Sequence, residues 1–548
     1  MTTTALPGQA HTRHEQAGPL TGTGLAWRRA VRSDRWFWLV WVLVLWSFVP
    51  ATTAAYRETI SDDAAGREVA AGLAANPTMR AMLGPPFDLL NAGGFAMWRV
   101  GGFTAVMSGV MAALGVIRAT RAEEEAGRTE LLRAGAIGRH SLLWGAILLG
   151  LTGSGLLGLL ISVSMIGLNT PAAGALCMGL GIALTAAVFV GVGACAAQLS
   201  ASTRACRFVA MGALGAAYLL RALADGSASD SALRPLAWLS PVEWAPLARP
   251  YAAERWWVLA LPAALAASLI GLAFAVEARR DHGAGLRPAR PGPASAPARL
   301  SSAAGLAWRL TRGSSLGWGI GLVIFALVMG SLADVFETVA DDPELAERFR
   351  RMGAGAQDLQ AAFFVAMLGI LVVLLAVFAL QLFERLRKEE EAGHAEVILA
   401  TDTARTRQLL AFVVPALVVP TGLLAAIGVL LPLQSGLAGD RGLIPRILGA
   451  AMALAPGVWL CLGLGVAVHG LAPRLRLLPW AVVGWSLVVN WIGGVLGFPQ
   501  GVLDATPFGQ LPQLPAQPMA WGPVIVETLL AAALLVAGFW GYRRRDIT

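Results

Sequence analysis

The sequence is short of the residues on which soluble enzymes depend. Lys388 is its single lysine. A P-loop needs a lysine behind a glycine-rich turn to reach nucleotide phosphates. Lys388 instead stands between Arg387 and Glu389 with no glycine loop before it, and no LSGGQ-like run occurs. That route to ATP hydrolysis is closed to this chain. The four cysteines (Cys177, Cys195, Cys206, Cys461) form no CxxC pair and lie in or beside apolar segments, as small packing residues do. The six histidines fall in no HExxH or similar spacing. No metal site is expected, and no residue is put forward as catalytic. Charged residues make up 14% of the chain, where a soluble domain has about a quarter.

What the chain has instead is apolar length. Hydrophobic residues are 56% of it and the mean hydropathy is +0.63. "WFWLVWVLVLWSFVPATTAA" (36–55) runs without a charge, and ~20 such residues in a helix cross a hydrocarbon core of ~30 Å. Similar blocks lie at 100–117, 142–167, 172–197, 208–224 and 256–276. A second set lies at 316–336, 361–382, 409–433, 448–472, 478–498 and 522–541. The expectation is an all-α polytopic membrane protein of about twelve transmembrane helices, multi-pass in the plasma membrane. The first block follows Arg28, Arg29, Arg32 and Arg35, is too long for a signal h-region and has no A-x-A site soon after it. It reads as a span that stays. The net charge of +8 does not point to nucleic acid, because the arginines follow alternate loops. Their excess on one side places both termini in the cytoplasm.

The polar ends and joints follow. Residues 1–23 read as a disordered cytoplasmic tail and 282–304, rich in Pro, Ala and Arg, as a cytoplasmic linker between halves at 24–281 and 305–548. The loop 56–98 is expected outside, with short helices on the outer face. Arg28, Arg32 and Arg35 share one helical face, which suggests an amphipathic helix over 24–35 lying on the lipid of the inner leaflet. Trp308, Arg309 and Arg312 repeat it.

The two halves are copies. "GLAWR" stands at 24–28 and 305–309, "SP" at 240–241 matches "TP" at 506–507, and "ARRD" (278–281) matches "RRRD" (543–546). Six spans per copy is an even number, so the copies are parallel, with a pseudo-twofold axis along the membrane normal. The longest likeness is R-x-E-E-E-A-G-x-x-E. It comprises Arg121, Glu123, Glu124, Glu125, Gly127 and Glu130, and then, 266 residues on, Arg387, Glu389, Glu390, Glu391, Gly393 and Glu396. Ala134 and Arg139 recur as Ala400 and Arg405. A single charge run is ordinarily a solvated face, laced by i,i+4 pairs such as Arg121–Glu125 and Arg387–Glu391. Three acids at the C-terminal end of a membrane helix oppose its dipole, and a solubilising tail needs no such arrangement twice. The duplication favours docking of a cytoplasmic partner, with Gly127 and Gly393 turning the chain into a short surface helix.

This segment resembles the cytoplasmic loop between spans two and three of ATP-binding-cassette (ABC) exporter permeases, where an E-E-x-x-G-x-x-E stretch precedes or forms the coupling helix seated on the ATPase. The double-length form with "EEEAGRTELLRAGAIGR" is similar to the actinobacterial exporters of polyketide antibiotics and other drugs. The second copy departs from the first, "HAEVILATDTAR" replacing "RTELLRAGAIGR". The resemblance implies a permease that exports hydrophobic or amphiphilic small molecules. It implies no cofactor in this chain, with ATP and Mg held by a separate ATP-binding subunit in two identical copies. It also implies that spans two and five of each half line the path. The apolar and aromatic residues there are Phe103, Met107 and Met111; Phe208, Met211 and Tyr218; Phe364, Met367 and Phe378; and Trp480, Asn490 and Trp491. Met and aromatics suit varied apolar cargo, although such stripes equally serve helix packing, and the tryptophans interfacial anchoring. The alternative is a proton-coupled twelve-span drug carrier. Against it, the blocks hold almost no ionisable residues, Arg221 with Asp225 one turn on being the exception, and that family's Asp-Arg-x-Gly-Arg loop is absent.

Overall fold

In the computed structural model the described residues are 18–59, 77–133, 137–227, 231–280, 285–286, 294–297, 300–341, 356–438, 442–492, 501 and 504–545. They form helices and turns, with no strand among them. The protein is an all-α polytopic membrane protein. Eleven of the described helices are long and apolar enough to cross a membrane. A backbone in lipid must satisfy its own N–H and C=O groups, which is why apolar runs of this length become helices. The chain divides into two compact units, Met1–Gly292 and Pro293–Thr548.

In the first unit the spanning helices are α1 (Thr23–Thr59), α2 (Ala92–Glu125), α3 (Ser141–Gly167), α4 (Ala172–Leu199), α5 (Thr203–Gly226) and α6 (Trp256–Glu277). Helix α4 is the centre, packed by α2, α3, α5 and α6. Small residues allow this: a Cβ on Gly158 of α3 would run into the carbonyl of Gly179 on α4, so the backbones touch where both positions are glycine. Trp38 of α1 fills the space left by Gly115 and Gly153.

In the second unit they are α7 (Ala303–Asp341), α8 (Ala356–Glu391), α9 (Arg405–Leu430), α10 (Leu443–Leu471) and α12 (Trp521–Arg544), with a shorter apolar helix, α11 (Leu478–Ile492), between the last two. Here α10 takes the central place, against α8, α9 and α12. Its Gly470 meets Gly538 of α12 backbone to backbone. The block expected at 478–498 is helical over Leu478–Ile492, and 493–498 lies outside the described residues.

Two expectations are corrected. The surface helix at 24–35 does not exist apart: α1 is one helix of 37 residues, ~55 Å long at 1.5 Å per residue. No proline interrupts it before Pro50, so nothing turns the chain at residue 36. Helix α7 likewise runs unbroken through Trp308, Arg309 and Arg312. At the end of the tail, Gly138 and His140 donate backbone N–H to the carbonyls of Thr21 and Pro19. Residues 1–17 lie outside the described residues, as do 60–76 of the loop 56–98. The described part of that loop does contain a short helix, Pro77–Leu83.

Candidate functional site

Each glutamate triplet closes the second helix of its unit, and the middle glutamate is clamped by an arginine just beyond the end of the last helix. Glu124 takes both Nη atoms of Arg280 (3.1 and 3.0 Å) and Nη1 of Arg121 (3.1 Å). Arg280 also donates Nε to Gln198 of α4. In the second unit Glu390 takes Nη2 of Arg545 (3.0 Å), the hydroxyl of Tyr542 (2.9 Å) and His469 Nε2 (3.2 Å). Arg280 and Arg545 are the matching arginines of "ARRD" and "RRRD", so two repeats that stand 156 and 155 residues apart in sequence meet in space. The third repeated arginine completes the set. Arg139 donates to the carbonyls of Glu277 and Ala278, and Arg405 to those of Arg543 and Arg545. A cation there satisfies the open carbonyls at a helix C-terminus and suits its dipole.

The outer glutamates differ between copies. Glu123 accepts from Arg29 of α1 (2.9 Å) and Arg128 (3.0 Å), and that hydrogen bond holds the Arg128 guanidinium above its usual pKa. Glu125 accepts the backbone N–H of Thr203, at the start of α5 (2.9 Å). Glu389 pairs with Arg385 (2.7 Å) and His394 (2.9 Å), and Glu391 with Arg387 (2.7 Å). The expected Arg387–Glu391 pair is present. Arg121 instead pairs with Glu124 at i,i+3 and is buried, donating Nε to the Ala197 carbonyl. A π-turn at Arg118–Ala122 is the cause: it adds a residue to the turn and swings Arg121 inward, whereas α8 runs regular to Glu391.

Both triplets then turn on glycine. Gly127 has φ +71° and Gly393 φ +73°, the left-handed conformation glycine adopts without strain. Short helices follow at Arg128–Arg133 and His394–Leu399. On these, Glu130, Glu396 and Val397 are exposed, as is Glu391 before the turn. Beneath the second triplet a cavity of about 240 Å3 is lined by Glu384, Arg387, Glu390, His469, Trp480 and Arg545. Its counterpart beneath the first, beside Arg29, Asp34, Glu123 and Glu124, is about 50 Å3.

The expected path residues do not share one environment. Met111 and Phe364 are fully buried in the cores of their units, and Phe378 is stacked on Trp318. Met107, Met211 and Met367 are partly buried against those cores. Phe103 and Phe208 are exposed. Tyr218 lies under the Arg221 guanidinium at 5.6 Å, and Trp480 donates Nε1 to Glu384. The side chains of Asn490 and Trp491 lie outside the described residues. Helical spacing alone did not separate a face from a core: Phe103 and Met111, two turns apart on α2, end with opposite exposures.

Ionisable residues that the sequence reading missed also come into view. Glu527, on α12, is buried with Oε2 unpartnered. Asp34 is buried against Arg118. Glu243 is fully buried and accepts Arg221 Nε at 2.8 Å, while Asp225, the expected partner, lies at 3.4 Å. Burial pushes the Glu243 carboxyl up to about 8, Arg221 opposing and Asp225 adding to the rise. Nothing in the spacing of "SPVEW" (240–244) marks Glu243 as buried. Among the described residues no group of His, Cys, Asp and Glu is arranged to hold a metal ion.

Fold and site together define a multi-pass helical membrane protein whose two units each end in the same arginine–glutamate clamp. The family model described as "Multidrug efflux system permease Rv1217c, C-terminal domain" matches residues 300–543. The multidrug efflux system permease protein Rv1217c of Mycobacterium tuberculosis is 37% identical over 550 residues, covering 99% of this chain and 98% of that protein. The chain belongs to the Rv1217c family of multidrug efflux system permeases.

Proposed function

We propose that the chain is the fused permease of an ABC exporter, expelling hydrophobic or amphiphilic drugs and driven by a separate ATP-binding subunit. Two copies of that subunit dock, one on each short helix after Gly127 and Gly393, and ATP and Mg reside there. Both chain ends and both glutamate motifs then face the cytoplasm. The observation that carries the reading is the duplicated turn. In each unit the second helix is clamped in place, turns on a left-handed glycine and presents an exposed charged helix at the same end. A clamp alone would not need the exposed helix that follows it. The kinship with a permease named for multidrug efflux supplies the cargo class. The permease alone hydrolyses no ATP, and drug uptake into everted vesicles requires the partner subunit and ATP. Robust ATPase activity from the isolated chain, after removal of contaminants, would overturn the reading.

Glu527 favours a second reading. A buried carboxylate within a span is what a proton-coupled carrier uses. Vesicle uptake driven by an imposed proton gradient without nucleotide, and lost in Glu527→Gln, would establish that reading instead.

A further inference from the structure

At the end of α5 opposite the glutamates, a cavity of about 360 Å3 is lined by Phe87, Asp225, Arg234, Trp238, Arg249 and Arg255, among others. Three guanidinium groups face it against one carboxylate, Asp225, which lies 3.4 Å from Arg221 and also feels the charges of Arg234 and Arg80. The Nε atoms of Arg234 and Arg249 are buried without a hydrogen-bond partner. Burial, and then the charge of Arg255, lower the Arg249 pKa. Its guanidinium stands over the Phe87 ring at 4.7 Å. The loop that aims Arg249 is strained. Arg249, Tyr251 and Ala253 have φ of 51°, 67° and 59°, a region non-glycine residues rarely occupy, and such strain collects at binding sites. Beside the arginines Trp238 stacks on Trp257 at 5.6 Å, both rings exposed.

The arrangement belongs to the first half alone. At the 266-residue offset the positions of Arg221, Glu243, Arg249 and Arg255 are Leu487, Gly509, Pro515 and Trp521. The six-helix repeat therefore does not require these charges. Three arginines set against one carboxylate leave an excess of positive charge and open Nε donors, and a planar guanidinium matches carboxylate, phosphate and sulfonate oxygens two at a time.

We propose that this cavity binds the anionic group of an amphiphile, a carboxylate, phosphate or sulfonate, whose apolar body lies on the Trp238–Trp257 pair. The anion sits among Arg234, Arg249 and Arg255 and takes the open Nε donors. The site stands independently of how transport is powered. Its ligand is either a lipid with an anionic headgroup or a free aromatic anion.

Isothermal titration of the full chain in nonionic detergent tests this with three probes: dihexanoyl-phosphatidylglycerol, 2-naphthalenesulfonate and, as a zwitterionic control, dihexanoyl-phosphatidylcholine. At least one anionic probe is expected to bind saturably at one site per chain, more weakly at high salt. The control is not. Arg234→Gln with Arg255→Gln is expected to weaken that binding roughly ten-fold or more, as loss of charge-assisted hydrogen bonds should, and Arg234→Lys with Arg255→Lys to weaken it less, keeping the charge without the paired donors. Binding of the lipid alone identifies a headgroup site, of the sulfonate alone a free-anion site, and of both a site that reads the anion whatever carries it. If neither anionic probe binds saturably, or if the Gln pair binds them as the wild type does, the proposal fails. Should the Gln pair not fold, Arg255→Gln alone, at a half-exposed side chain, gives the same comparison.

Discussion

At the scale of single residues, the glutamate triplets are divided between holding and presenting. The side chains of Glu124 and Glu390 are 7% and 6% exposed, each against an arginine just beyond the last helix. Removing one partner of a buried pair leaves the other uncompensated, at a cost of about 3–5 kcal/mol. Glu124→Ala is therefore expected to lower the thermal midpoint of the detergent-solubilised protein clearly, and Glu130→Ala hardly at all. Equal midpoints would show that the Arg280 clamp bears no load. Charge reversal at Glu124 and Glu125 together is a folding mutation and not a clean test of docking, since only the exposed acids can be changed without disturbing the clamp. Glu243 supplies a pH dependence. Its folded-state pKa is raised to about 8 from an ordinary 4.5, so the folded protein binds more protons than the unfolded chain between those values. Stability contributed by this group is full below the ordinary value and falls as pH rises towards 8. Melting of the wild type is expected to drop over that window, and the drop to shrink in Glu243→Gln. An unchanged slope in the variant would show that Glu243 does not hold its proton. Such pairings were not legible in the sequence. "ARRD" and "RRRD" stood out as repeats, but only the fold brings them to glutamates more than 150 residues away.

At the scale of elements, apolar length and proline placement were readable and helix faces were not. Runs without charge gave the spans. The absence of proline before Pro50 gave one continuous α1, which the arginine face at 24–35 had obscured. The methionine and phenylalanine stripes do not share one environment, because a helix in lipid is apolar on every side and periodicity has no polar face to contrast with. What orders these helices is small-residue contact. Gly538 of α12 lies so close to the backbone of Val466 and Ala467 on α10 that an added Cβ must push the helices apart. Overpacking of this kind costs about 1–3 kcal/mol. Gly538→Val is expected to lower the melting midpoint and loosen the second unit to protease, while Gly484→Val, with open space around it, leaves both unchanged. If the two variants melt alike, close approach of α10 and α12 is not what stabilises the unit.

At the scale of the whole molecule, one chain carries two copies of the same solution that have drifted at their working ends. The first copy has the π-turn, the buried Arg121 and a small cavity of about 50 Å3. The second has a regular helix, a partly exposed Arg387 and a cavity of about 240 Å3. On the proposed docking, the roomier second site, with Glu391, Glu396 and Val397 exposed beside it, would offer the ATP-binding subunit more to grip. Exposed substitutions of this sort change stability by within about 0.5 kcal/mol, whereas charge reversal at a docking surface can cost an interface several kcal/mol. Glu391→Arg with Glu396→Arg is thus expected to leave expression and melting near wild type while partner-dependent ATP turnover and drug uptake fall together. Glu130→Arg, at the first copy, is expected to lower both less. Measured side by side in everted vesicles with the ATP-binding subunit co-expressed, equal losses at the two copies would show that the motors grip both alike. Wild-type transport by both variants would show that the short helices are solvated flanks, with the clamp beneath them sufficient reason for the repeated glutamates.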